Sequence, residues 1–151
     1  MKTIKLILLV LTIASNSYAA KVSFIGPCDS KPIFKTQIKI EDEISVGAFT
    51  VKALEQNDIP FKGSEGGMNS IFNTPIGLDA MEVLSDTEML SHGWCYSVNG
   101  VEPRVFTSNY IIEDKDEVLW WFGHARYIEG EWVSQCIPTH TIDSELFCND
   151  K

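Results

Sequence analysis

The run Val118-Leu119-Trp120-Trp121-Phe122 is apolar at every position. In an extended chain successive side chains point to opposite faces, so Val118, Trp120 and Phe122 face one way and Leu119 and Trp121 the other. A strand that is apolar on both sides has to be covered on both. That places it in the middle of a sheet or under a partner element, and it makes this a sheet-based fold.

Other segments supply the rest of the sheet. Phe34, Thr36, Ile38 and Ile40 alternate with Lys35, Gln37 and Lys39, the period-two pattern of a strand with one wet face. Trp94, Tyr96 and Val98 alternate with Cys95 and Ser97, and Asn99-Gly100 follows with the dipeptide favoured in tight hairpins. A last hairpin is expected from 125–128 and 132–136, turning at Glu129-Gly130. Shorter apolar runs predict a strand over 80–84, a helical turn over 85–90, and an edge strand or irregular crossing over 105–112.

One helix is predicted. Ser45 can cap a segment running to about Asn57, on which Val46, Phe49, Ala53 and Leu54 share a face, and Asp58-Ile59-Pro60 ends it. The bend at 62–67 is glycine-rich, but no helix or Gly-Lys-Ser/Thr follows, so it reads as a turn and not a phosphate cradle. Strands with a single helix make an α+β domain.

The chain begins with Lys2 and Lys5, an apolar run over 6–13, and Ser17-Tyr18-Ala19. That is the layout of a secretory signal peptide, residues 1–19, with cleavage expected after Ala19. The run is too short to span a bilayer. The expected localisation is therefore exported, either periplasmic or extracellular, with no membrane anchor and a single domain over residues 20–151. With 12 basic against 21 acidic side chains the net charge is -9, which argues against nucleic-acid or anionic-lipid partners.

Cys28, Cys95, Cys136 and Cys148 all follow the leader. An even count in an exported domain reads as two disulfides, with three possible connectivities. The preferred pairing joins Cys95 to Cys136, stapling a central strand to the segment after the last hairpin, and Cys28 to Cys148, tying the two ends. No Cys-x-x-Cys pair suggests zinc, and export favours oxidised pairs over a catalytic thiol partnered by His92 or His124.

The order of these elements is distinctive: a strand, a helix, a Gly-Gly bend, the strand Gly-Trp-Cys-Tyr-Ser-Val-Asn-Gly over 93–100, then Glu102-Pro103, and later the run Glu113 to Trp121. Over about residues 35–125 it resembles the transcobalamin-like C-terminal domain family, a domain of unknown function. The resemblance implies a β-grasp-like fold, a mixed sheet curling around one helix. In cobalamin carriers such a domain packs on one face of the corrin, and it also occurs in bacterial surface proteins. Here Lys115-Asp116 replaces the family's Gly-Asp turn. The helical barrel of those carriers is absent from the sequence, so cobalamin is not carried over as a cofactor and none is expected.

The candidate contact residues lie late in the chain. Trp94 and Trp120 are expected in the core with Val98 and Val118. Trp121, Tyr127 and Trp132 are the expected exposed aromatic patch, with His124 and Arg126 beside them as further ligand-binding candidates. The acidic runs 41–43 and 113–117 lie in turns and do not face one another across a cleft, as paired acids for glycoside hydrolysis must. No hydrolase, zincin or dinucleotide fingerprint occurs, and no catalytic or metal-binding residue is assigned. The expectation is an exported, non-catalytic binding module for a small organic molecule or glycan. The alternative is an interaction or structural subunit of an envelope assembly.

Overall fold

A computed structural model describes residues 18–142, 144 and 146–148. The expected leader, 1–19, lies outside the described residues except for Tyr18 and Ala19.

The central layer is a six-stranded mixed sheet. Its middle strand is β9, here numbered in chain order with β1 (Ala20–Ile25), β2 (Pro32–Ile38), β3 (Ile44–Ser45), α1 (Val46–Gln56), β4 (Phe61–Ser64), β5 (Gly67–Ile71), β6 (Met81–Ser85), β7 (Glu88–Val98), β8 (Ile111–Ile112), β9 (Glu117–Ile128) and β10 (Glu131–Pro138). The strands run β2-β1-β9-β7-β6, and β10 pairs with β9. β1 lies parallel to the first half of β9, with Val22 opposite Val118. β10 takes over the same flank along the second half. The doubly apolar run thus occupies the position its pattern requires.

Register fixes the two faces. Trp94 lies opposite Phe122, Tyr96 opposite Trp120 and Val98 opposite Val118, so these side chains share one face with Val22 and Phe24 of β1. α1 covers that face. Its buried residues are Val46, Phe49, Ala53 and Leu54 with Thr50 and Gly47, and they join Trp120 and Val118 in one core. Ser45 caps the helix by accepting from the Ala48 amide at 3.1 Å. A β3–β8 pair carries the chain into α1, and the β4–β5 hairpin follows it.

Both disulfides form the expected pairs, Cys28–Cys148 and Cys95–Cys136. They fit an extracytoplasmic location. No helix among the described residues is long and apolar enough to cross a membrane.

Three points differ from expectation. β1 was not foreseen, although Ala20, Val22 and Phe24 alternate and are wholly buried. Residues 85–90 form no helical turn: Ser85 pairs with Glu88 around a two-residue turn, and β7 starts at Glu88. Asn99-Gly100 turns as expected, with positive φ at both, but the returning strand amounts to the single bridge Val98–Val101. Of the two alternatives expected for 105–112, the structure has the irregular crossing, with a 3-10 turn at Thr107–Asn109 and the two-residue β8 at its end.

Candidate functional site

Two segments stand up from the covered face of the sheet and leave a cleft of about 660 Å³ between them. One wall is the β4–β5 hairpin from Gly63 to Asn69. The other is the crossing at Val105, Phe106 and Thr107, and the floor is Trp94, Tyr96 and Trp120. Alternation along β7 aims Trp94 and Tyr96 to the same side, and the 5.4 Å ring separation between Tyr96 and Trp120 makes them one aromatic surface.

Each polar end of that floor is held. The Trp94 indole donates to Thr74 Oγ1 at 2.8 Å, and the Tyr96 hydroxyl donates to the Val105 carbonyl at 2.8 Å. Trp120 donates to Thr50 Oγ1 at 3.0 Å inside the core. Burial, and then the neighbouring Tyr110, push the Tyr96 phenol up from its ordinary pKa, which keeps it a donor at neutral pH. The rings are therefore fixed by bonds that do not use their faces.

The walls are tied to each other and to the helix. Thr107 Oγ1 donates to the Glu65 carbonyl at 2.6 Å. The same carbonyl presses on the start of α1, where a Cβ at Gly47 would lie 1.8 Å from it. Only glycine allows this approach, so the hairpin turn is locked against the helix. Phe106 projects at the lip, 73% exposed.

None of the residues expected from sequence to form the site lines this cleft. Trp121 is no surface residue: it is 6% exposed, and its indole donates to the Cys136 carbonyl at 2.9 Å. The cause is β10, which bulges over that face at Cys136 (φ 56) to reach Cys95. Tyr127 and Trp132 do meet, edge to face at 5.3 Å, with Trp132 49% exposed at the hairpin tip. Arg126 is engaged with Glu88, its Nε donating to Oε1 at 2.6 Å.

His124 is buried and lines a cavity of about 230 Å³ beside the Cys95–Cys136 bridge. Its pKa is lowered by burial first and then by Arg126, and its Nδ1 has no hydrogen-bond partner among the described residues. Its neighbour His92, 5.6 Å away ring to ring, is lowered to about 4 by burial first, then by His124. His92 Nδ1 meets Thr139 Oγ1 at 3.0 Å, and Nε2 lies 3.6 Å from Glu82. Both imidazoles are neutral at pH 7. Among the described residues no group of three or more His, Cys, Asp or Glu side chains is placed to hold a metal ion.

Sequence reasoning missed Met68, Asn69 and Phe106. The Gly63–Gly67 bend and the Trp94/Tyr96 alternation were visible signals, but nothing in the sequence brings Thr107 to Glu65 across 42 positions.

The whole cleft, from Gly63 to Trp120, falls within one stretch that also matches a family model. Residues 50–124 match DUF4430, a domain of unknown function. Arg126, Tyr127 and Trp132 lie beyond the DUF4430 match, as do both cysteines of the Cys28–Cys148 bridge. A solved structure from Ruminococcus gnavus ATCC 29149, described as a "putative metal binding protein", is similar at 10% identity over 70% of this chain and 95% of that chain, with a TM-score of 0.47. No curated protein matches the chain.

Proposed function

We propose that this protein is an exported, non-catalytic binding module of the transcobalamin-like, β-grasp kind, and that its ligand is a small organic molecule held in the cleft over Trp94 and Tyr96. The observation that carries the reading is the tethering of both rings by their polar atoms, which holds them in one fixed arrangement where they line the cleft. Binding to such a surface costs little side-chain entropy. The cleft volume of about 660 Å³ lies in the range that holds a small ligand. Two disulfides support export to an oxidising compartment. A hydrolase built on a free Cys95 loses its nucleophile, because Cys95 is bridged to Cys136.

Titrating the purified protein with cofactor and saccharide panels while following tryptophan emission tests the reading. At least one probe should saturate, and Phe106→Ala should abolish that response with a stability change within about 0.5 kcal/mol, as befits a surface side chain. A saturating response indifferent to Phe106→Ala would place the ligand elsewhere.

A second reading, a subunit of an envelope assembly, is favoured by Trp132 and Val133, both exposed along β10. Crosslinking in native extracts separates the two, since a self-sufficient binder runs alone.

A further inference from the structure

We infer that the ligand is an uncharged chain, a neutral oligosaccharide, lying in two adjoining subsites on either side of Trp94; this rests on the binding-module reading above. A second cavity of about 440 Å³ adjoins the cleft and is lined by Ile76, Gly77, His92 and Gly93. Met68, Asn69 and Trp94 line both cavities, so the two form one trough with the indole at its midpoint. Each half is large enough for a small ligand by itself. A single ring fills one and leaves the other empty, whereas a chain of rings fills both.

The chemistry of the trough selects against charge. Among the described residues, no Asp, Glu, Lys or Arg side chain lines either cavity. The His92 side chain is wholly buried beside the trough, and burial and His124 lower it to about 4, so it brings no charge there at pH 7. In a chain of net charge -9, an anionic ligand meets repulsion on approach and no cation on arrival. A cationic ligand finds no carboxylate to pair with. The contacts on offer are aromatic faces and neutral hydrogen-bonding groups.

Those two kinds of contact match the two kinds of surface on a sugar ring. The half-buried Trp94 indole, pinned by Thr74, offers a flat platform to the C–H face of a pyranose. The hydroxyls meet the exposed Asn69 carboxamide, the Ser64 hydroxyl and the peptide groups of Gly66 and Gly67 along the rim. With no side chains at those glycines, a ligand can approach the backbone closely. A flat apolar molecule would leave the Asn69 carboxamide desolvated and without a partner, which costs affinity.

The test is calorimetric titration of the full disulfide-bonded protein with neutral glucose, xylose and N-acetylglucosamine oligomers of increasing length, alongside an oligouronide series and a capped neutral peptide. Affinity for at least one neutral series should rise about tenfold or more between the monomer and trimer, then level off. Ile76→Ala should remove that rise while keeping the monomer-level binding, and Phe106→Ala should weaken every length. Affinity independent of length overturns the inference, as does preference for the oligouronide or the peptide. Silence towards all saccharides also overturns it. A Phe106-dependent response to a non-sugar probe would then show that the binding-module reading survives, and its absence that both fail.

Discussion

The Trp120 indole donates to the Thr50 hydroxyl at 3.0 Å, and that hydroxyl in turn donates to the Val46 carbonyl at 2.7 Å. One buried oxygen thus joins the central strand to the helix that covers it. Because both groups are shielded from water, the indole N–H has no substitute partner if Thr50 is lost. Thr50→Val keeps the side-chain shape and removes the acceptor. It should destabilise the fold by about 1–3 kcal/mol, lowering the urea midpoint without changing the slope. An unchanged midpoint would mean the bond contributes nothing net.

The Cys95–Cys136 bridge joins residues 41 positions apart and holds β10 against β7 over the surface of β9. In the chain-entropy model, closing a loop of that length removes denatured-state freedom worth roughly 4 kcal/mol. Replacing both cysteines with alanine should lower the melting temperature accordingly and expose Trp121, with a red shift in its emission. A red shift without a fall in melting temperature would assign the bridge to positioning alone.

His92 makes stability depend on acidity. Its folded pKa of about 4 lies below the ordinary 6.5, through burial first and His124 second, with Glu82 pulling the other way. As pH falls, the unfolded chain takes up the proton first. The stabilisation is therefore complete above 6.5, is lost progressively towards about 4 and levels off below, a total on the order of 3 kcal/mol. His124, also lowered, acts in the same direction. Denaturant titrations from pH 7 down to about 4 should show this decline, and His92→Phe should flatten it. An equally steep decline in the variant would assign the effect to other groups.

Gly47→Ala should be disruptive out of proportion to one methyl group. Its Cβ would sit 1.8 Å from the Glu65 carbonyl, so either the hairpin turn or the helix start has to retreat. A loss of about 2 kcal/mol or more is expected, with weaker binding in the cleft because its wall moves. Gly67→Ala, where a Cβ meets nothing within 4 Å, is the control and should be nearly neutral in a thermal melt.

Much of this architecture could be read in the residues. The Ser45 cap and the buried face of Val46, Phe49, Ala53 and Leu54 were legible because helix periodicity and capping are local. The interior place of β9 followed from its two apolar faces. The cysteine pairing was one of three possibilities and matched the preferred one. What failed was non-local. Trp121 pointed away from the helix as expected, but a bulge at Cys136 folds β10 over it, and no pattern announces a bulge two strands away. The alternation of β1 was hard to tell apart because it follows closely on the apolar run over 6–13. The cleft escaped because its walls come from opposite ends of a long excursion and meet through one hydrogen bond from Thr107 to a main-chain oxygen.

The parallel match of β1 with β9 sets an order of assembly. Lys21 and Glu117, joined across it, are 96 positions apart. A polypeptide emerging from its N-terminal end can close the β1–β2 hairpin early, yet the far flank of β1 stays bare until the chain has been made as far as Trp121. Through most of synthesis that flank is an unprotected template for stray strands, and chaperone cover over residues 20–25 is the need it creates.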